Sequence, residues 1–279
     1  MAASAAGLNG AAGPGARRSE NGDRFHEAAP VIILTYPHAG AEQLTRILST
    51  GRSIACTSAT GLLPLCCEAL RTWQRIEGRT DVPSQLALRS VRALASTMIT
   101  VIEANVGASR WCEAAYTTPA MAQAFLRVFP GAQFICLYRN LSGVLDEAVR
   151  MYPWGLGDSP FWAYAAGHPG NNAATIAAYW TARTEALLEF EASQPESCLR
   201  VRFEDLAAEP GRQVHRILTS LGLSAGHLGA PGEPALTQEP EPGESAGTRG
   251  VPAERISREL VARVGELNAI LGYGALTPA

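Results

Sequence analysis

Lysine is absent from this chain, whose 23 basic residues are all arginine. That absence removes the phosphate-binding motif G-x-x-x-x-G-K-[ST] of P-loop kinases, which needs a lysine next to its glycine-rich turn. Charge of either sign is also sparse, at 18% of residues with a net charge of −3. The chain therefore has no global basic field to recruit nucleic acid or an anionic membrane, and any anion it binds is held locally. No apolar run approaches the ~20 residues of a membrane-spanning helix. The six cysteines (Cys56, Cys66, Cys67, Cys112, Cys136 and Cys198) form no C-x-x-C pair, and adjacent Cys66 and Cys67 fit no common zinc spacing. They read as reduced, small, buried apolar residues, and no ligand cluster points to a metal. A secretory or twin-arginine signal is not expected either, because polar residues follow Arg17-Arg18. The expectation is a cytoplasmic protein without metal, membrane or nucleic-acid partner. The Ala-rich, Arg-rich composition fits a GC-rich bacterial genome.

What the chain does have is 279 residues, the length of one large α/β domain or two small ones, with 47% hydrophobic content, enough to build a sizeable core. Residues 1–29 carry Ala, Gly and polar residues without periodicity and read as a flexible tail, leaving 30–279 as one domain. Val31 to Tyr36 is a short continuous apolar run, the pattern of a strand buried on both faces of a parallel sheet. Pro37 to Gly40 turns the chain, and Leu44, Ile47 and Leu48 then mark a helix. Phe134 to Tyr138 repeats the strand pattern, and Val144, Leu145, Ala148 and Val149 mark the helix after Arg139. Two strand-turn-helix units result, and ligands of open parallel sheets sit at such carboxyl strand ends. Further helices are expected over 82–106, 173–191, after Pro210 and over 253–271, with a third strand over 198–203. Segments 56–82 and 151–172 read as irregular, the second with a cluster of aromatic residues that either covers the core or lines a substrate.

The ordered set T-Y-P-H-A-G (Thr35–Gly40), L-Y-R-N (Leu137–Asn140) and V-R-F-E-D-L (Val201–Leu206), with Gly272-Tyr273 near the end, resembles the cytosolic-type and bacterial sulfotransferases over roughly residues 30–275. The resemblance implies a P-loop-like α/β fold with a central parallel sheet flanked by helices. It also implies transfer of a sulfuryl group from 3′-phosphoadenosine 5′-phosphosulfate (PAPS) to a small hydroxylated or amine acceptor. The family's first turn reads P-K-S-G-T-T and wraps the 5′-phosphosulfate, so Pro37, His38, Ala39, Gly40, Ala41 and Glu42 are the matching cofactor-binding positions. His38 stands where the family has lysine. A protonated imidazole there would serve as electrophile; His38 also fits as a polar turn residue. Glu42 would compete with phosphate for the helix donors. At 4 Å and an effective dielectric of 20, like unit charges repel by about 4 kcal/mol, roughly a thousandfold in affinity.

The family's 3′-phosphate site pairs an arginine at a strand end with a serine eight residues on. Here these positions are Arg139 and Glu147. Arg139 suits phosphate through its planar fork and is equally compatible with a structural ion pair. Glu147 is compatible with an exposed helix carboxylate. A third phosphate contact would come from Arg249 and Gly250. Phe203 is expected to pack and Glu204 or Asp205 to cap or pair. The catalytic base candidates are His168 in the aromatic segment and Glu113 in Trp111-Cys112-Glu113, and His38 completes the catalytic set. Changes at His38, Glu42 and Glu147 all weaken anion binding. They leave open, beside the sulfotransferase of bacterial natural-product biosynthesis, a second reading: a sulfotransferase-fold protein that has lost PAPS binding and acts as a partner subunit or catalyses other chemistry, such as cyclisation, on an activated intermediate. A protein partner or a homodimer is compatible with either.

Overall fold

The computed structural model describes residues 29–50, 54–58, 60–78, 82–106, 110–223 and 256–274. The N-terminal tail, apart from its last residue 29, the segment 228–250, expected as a loop from its Pro, Gly and Glu content, and the candidates Arg249 and Gly250 lie outside these residues. Five strands form one parallel sheet in the order β2-β3-β1-β4-β5: β1 Val31–Leu34, β2 Ala55–Ser58, β3 Trp111–Ala115, β4 Gln133–Tyr138 and β5 Cys198–Arg202. In β1 and β4 the apolar runs are buried on both faces, as a central parallel strand requires. Thr35 and Tyr36 continue beyond the last paired residue of β1.

The helices are α1 Ala41–Ser49, α2 Leu62–Ile76, α3 Gln85–Val106, α4 Pro119–Val128, α5 Leu141–Met151, α6 Trp162–Ala165, α7 Asn172–Ser193, α8 Phe203–Ala208, α9 Pro210–Ser220 and α10 Arg258–Leu271. Side chains alternate along each strand, so Val31 and Ile33 face one layer and Ile32 and Leu34 the other. The first layer holds α1 and α9, through Leu44, Leu48, Val214 and Ile217. The second holds α2, α3, α4, α5, α7 and α10. Neighbouring strands β1 and β4 thus send their helices to opposite faces, which opens a crevice between their carboxyl ends.

Two stretches differ from the sequence expectation. Segment 56–82 is not irregular, since it supplies most of β2 and all of α2. The short β2, Ala-Cys-Thr-Ser, is an edge strand and needs no apolar run. Segment 151–172 contains α6 and buries Leu156, Ser159 and Phe161, so part of it belongs to the core. All six cysteines are free, with Cys56 and Cys198 half-buried and the others buried. Among the described residues no helix is long and apolar enough to cross a membrane, and no group of side chains could hold a metal ion.

Candidate functional site

The ends of β1 and β4 are stitched together by their own side chains. Thr35 Oγ1 donates to the Leu137 carbonyl at 3.2 Å. The buried Tyr36 hydroxyl donates to the Arg139 carbonyl at 2.8 Å and accepts the Arg139 N–H at 3.0 Å. Trp180 Nε1 on α7 donates to the same carbonyl at 2.9 Å. These three bonds fix the backbone from which the Arg139 side chain departs. Burial pushes the Tyr36 phenol pKa upward, so this hydroxyl stays a donor.

The turn after β1 is conformationally tense. His38 has φ 64°, a left-handed conformation rare for a residue with a side chain, and Gly40 follows at φ 93°. A Cβ at Gly40 would lie 2.1 Å from a ring carbon of Phe203, so only glycine lets α8 press against this turn. Gly40 is the N-cap of α1, and no side chain caps the helix there. The first-turn N–H groups of α1 are therefore not claimed by a capping side chain. Pro37, Ala39 and Ala41 are buried around the turn, while Glu42 is exposed on it.

Arg139 reaches back to this turn. Its Nη1 donates to the His38 carbonyl at 2.6 Å and also to Glu147 Oε2. Its guanidinium lies over the Phe203 ring, 4.4 Å from the centroid. Asn140 caps α5 by accepting the Gly143 N–H at 2.7 Å, and a Cβ at Gly143 would stand 2.7 Å from Arg139 Nε. Glycine there allows the arginine to lie along α5 toward Glu147. The other carboxylate oxygen of Glu147, Oε1, faces His38 Nδ1 at 3.7 Å. The His38 imidazole lowers the Glu147 pKa most, partial burial opposes it, and the Arg139 bond lowers it further, leaving it at about 2. Glu147 is thus a paired anion inside the cleft, and no free helix carboxylate.

The His38 ring stacks on Phe161 at 5.8 Å between centroids and meets Tyr152 edge-on at 5.8 Å. Its Nε2 is buried without a hydrogen-bond partner. The structure therefore brings together the 37–42 turn, Arg139 and Glu147. It places the two base candidates elsewhere. Glu113, 1% exposed, sits mid-strand in β3 and accepts from Thr60 Oγ1 at 2.9 Å just before α2. Burial raises its pKa, and the bonds from Thr60 and Gly61 lower it in part. His168 lines a cavity of about 490 Å³ with Leu156, Trp162, Asn172 and Thr175. None of the lining residues belongs to the 37–42 turn or to α5.

The sequence reading did not single out the residues that hold Arg139 in place, Tyr36 and Trp180, nor Tyr116. Tyr116 is half-exposed just past the end of β3, and its pKa is raised first by burial and then by the charge of Glu42, with smaller contributions from Tyr179 and Glu147. No local signal marked it, because Glu113 interrupts the apolar run of the strand before it. From the third motif, Phe203 packs on the turn and Glu204 accepts the Asn140 N–H at 2.9 Å. Asp205 pairs with Arg202 at 3.3 Å.

A family model described as "Sulfotransferase family" matches residues 30–226. Among solved structures, the chain resembles a sulfotransferase domain from the curacin biosynthetic pathway, with a TM-score of 0.59 and 16% identity, covering 88% of this chain and 98% of that one. It also resembles the sulfotransferase domain of the Synechococcus PCC 7002 olefin synthase, with a TM-score of 0.54, 16% identity and coverage of 88% and 96%. A sulfotransferase from Mycobacterium avium matches with a TM-score of 0.55, 11% identity and coverage of 89% and 78%. No curated protein matches the sequence.

Proposed function

Because the chain belongs to the sulfotransferase family, we propose that its β1/β4 cleft binds an activated sulfuryl donor and passes the group to a hydroxyl or amine of a small metabolite. The observation that carries this reading is the junction of the His38 turn with Arg139, beside an α1 N-terminus that no side chain caps. The first-turn N–H groups of α1 offer fixed donors and the positive end of the helix dipole to an oxyanion. His38 is the residue of this turn whose side chain can donate a hydrogen bond to a leaving oxygen, and its buried Nε2 has no partner in the fold.

PAPS, the donor the family implies, fits this cradle at one end only. The 5′ end meets open backbone donors; the 3′-phosphate would meet Glu147, an anion already seated on Arg139. For the acceptor side, the reading gives proton removal to His168, which lines a cavity, in preference to Glu113, which is sealed beneath α2. It also takes the protein to be bacterial and cytoplasmic, and the curacin and olefin-synthase neighbours support a place in natural-product biosynthesis.

The Arg139–Glu147 pair favours a second reading, in which nucleotide binding is lost and the fold serves as a partner subunit or in other chemistry such as cyclisation. Calorimetric titration with adenosine 5′-phosphate and with adenosine 3′,5′-bisphosphate separates the two. Micromolar binding of either nucleotide supports the donor cleft. Silence from both at millimolar concentration supports the second reading.

A further inference from the structure

At the end of β4 the cleft offers an acceptor where a phosphate site offers donors. Both N–H groups of Arg139 Nη1 are spent, one on the His38 carbonyl and one on Glu147. One face of its guanidinium is covered by Phe203. The arginine side chain is only 14% exposed and Glu147 is 30% exposed, so what meets a ligand from the Arg139–Glu147 pair is mainly the carboxylate. That carboxylate is held from two sides, by Arg139 at Oε2 and by His38 at Oε1. It is ionised at neutral pH. A phosphate dianion brought to this position meets like charge, and of the five N–H groups of the Arg139 guanidinium the two on Nη1 are already taken. A hydroxyl brought there finds a fixed, charged acceptor. Dinucleotide-binding folds use the same chemistry: an acidic side chain reads a ribose hydroxyl, and an arginine accommodates the phosphate ester of that hydroxyl.

Resting on the donor-cleft reading, we propose that this site selects a nucleoside 5′-phosphosulfate with a free ribose 3′-hydroxyl and rejects the 3′-phosphorylated form, with Glu147 accepting the hydroxyl's hydrogen bond. The unusual Glu147 then sets the donor class. Gly143, Phe203 and His38 are its positioning residues: glycine clears the path of Arg139, the ring holds the guanidinium, and the imidazole faces the second oxygen.

The test is calorimetric titration of the full chain and of its Glu147→Ser and Glu147→Gln variants with adenosine 5′-phosphate and adenosine 3′,5′-bisphosphate, with folding of each variant checked by circular dichroism. In the unsubstituted chain the monophosphate is expected to bind on the order of a hundredfold more tightly than the bisphosphate. Glu147→Ser should reverse that order by freeing Arg139. Glu147→Gln, closer in shape, should keep monophosphate binding and narrow the gap. Equal or tighter binding of the bisphosphate to the unsubstituted chain overturns the inference and leaves the donor cleft standing. Binding of the bisphosphate to Glu147→Ser with neither nucleotide binding the unsubstituted chain also overturns it, because Glu147 would then block the site and select nothing. Silence of both nucleotides with all three proteins overturns the inference together with the reading beneath it.

Discussion

Replacing Glu147 by Gln should cost stability in a pH-dependent way, and the sign follows from the ion pair. Folding lowers this carboxyl from the ordinary 4.5 to about 2, so its contribution is complete above about pH 4.5 and is lost as pH falls toward 2. At about 1.4 kcal/mol per unit, a shift of this size corresponds to an upper bound of about 3 kcal/mol. The carboxylate is 30% exposed, and solvent screening reduces the expected contribution to about 1–2 kcal/mol. The neutral amide keeps an oxygen for Arg139 and the shape of the side chain, so the difference isolates the charge. Urea unfolding of both proteins between pH 7 and pH 3 measures it. The gap should be constant from pH 7 to about 5 and shrink below 4.5. A gap that does not change with pH, or none at pH 7, would refute the assignment of Glu147 as a paired anion.

Gly40→Ala should destabilise the fold by about 2–4 kcal/mol, seen as a lower midpoint in thermal or urea unfolding. It forces a left-handed alanine and displaces Phe203 from Arg139. His168→Ala should lower kcat for sulfuryl transfer by about 10²- to 10⁴-fold, with nucleotide affinity by calorimetry unchanged.

The parts of the fold legible in the sequence were those where one local pattern had a single tertiary explanation. Val31–Leu34 and Phe134–Tyr138 are apolar runs because both faces of β1 and β4 are covered, and the turns after them marked the crevice. The strand β3 was not legible because Glu113 interrupts its apolar run, and its carboxylate is tolerated only because Thr60 and Gly61 supply hydrogen bonds from the start of α2. That bond joins residues 53 apart in the chain, which no local window contains. The helix α2 escaped notice with it. At the site, the spacing of eight residues between Arg139 and Glu147 was visible, but the direction of the carboxylate depends on Gly143 clearing space and on His38 approaching from β1. The clamp of Tyr36 and Trp180 on the Arg139 backbone is likewise a product of packing, with β1 and α7 meeting over β4.

A crystal structure of the protein soaked with adenosine 5′-phosphate tests the β1/β4 cleft most directly. The account predicts the 5′-phosphate on the first-turn N–H groups of α1, with a ribose hydroxyl on Glu147 while Glu147 still holds Arg139. Nucleotide bound away from the His38 turn, or Glu147 swung off Arg139 to make room for it, would contradict the account.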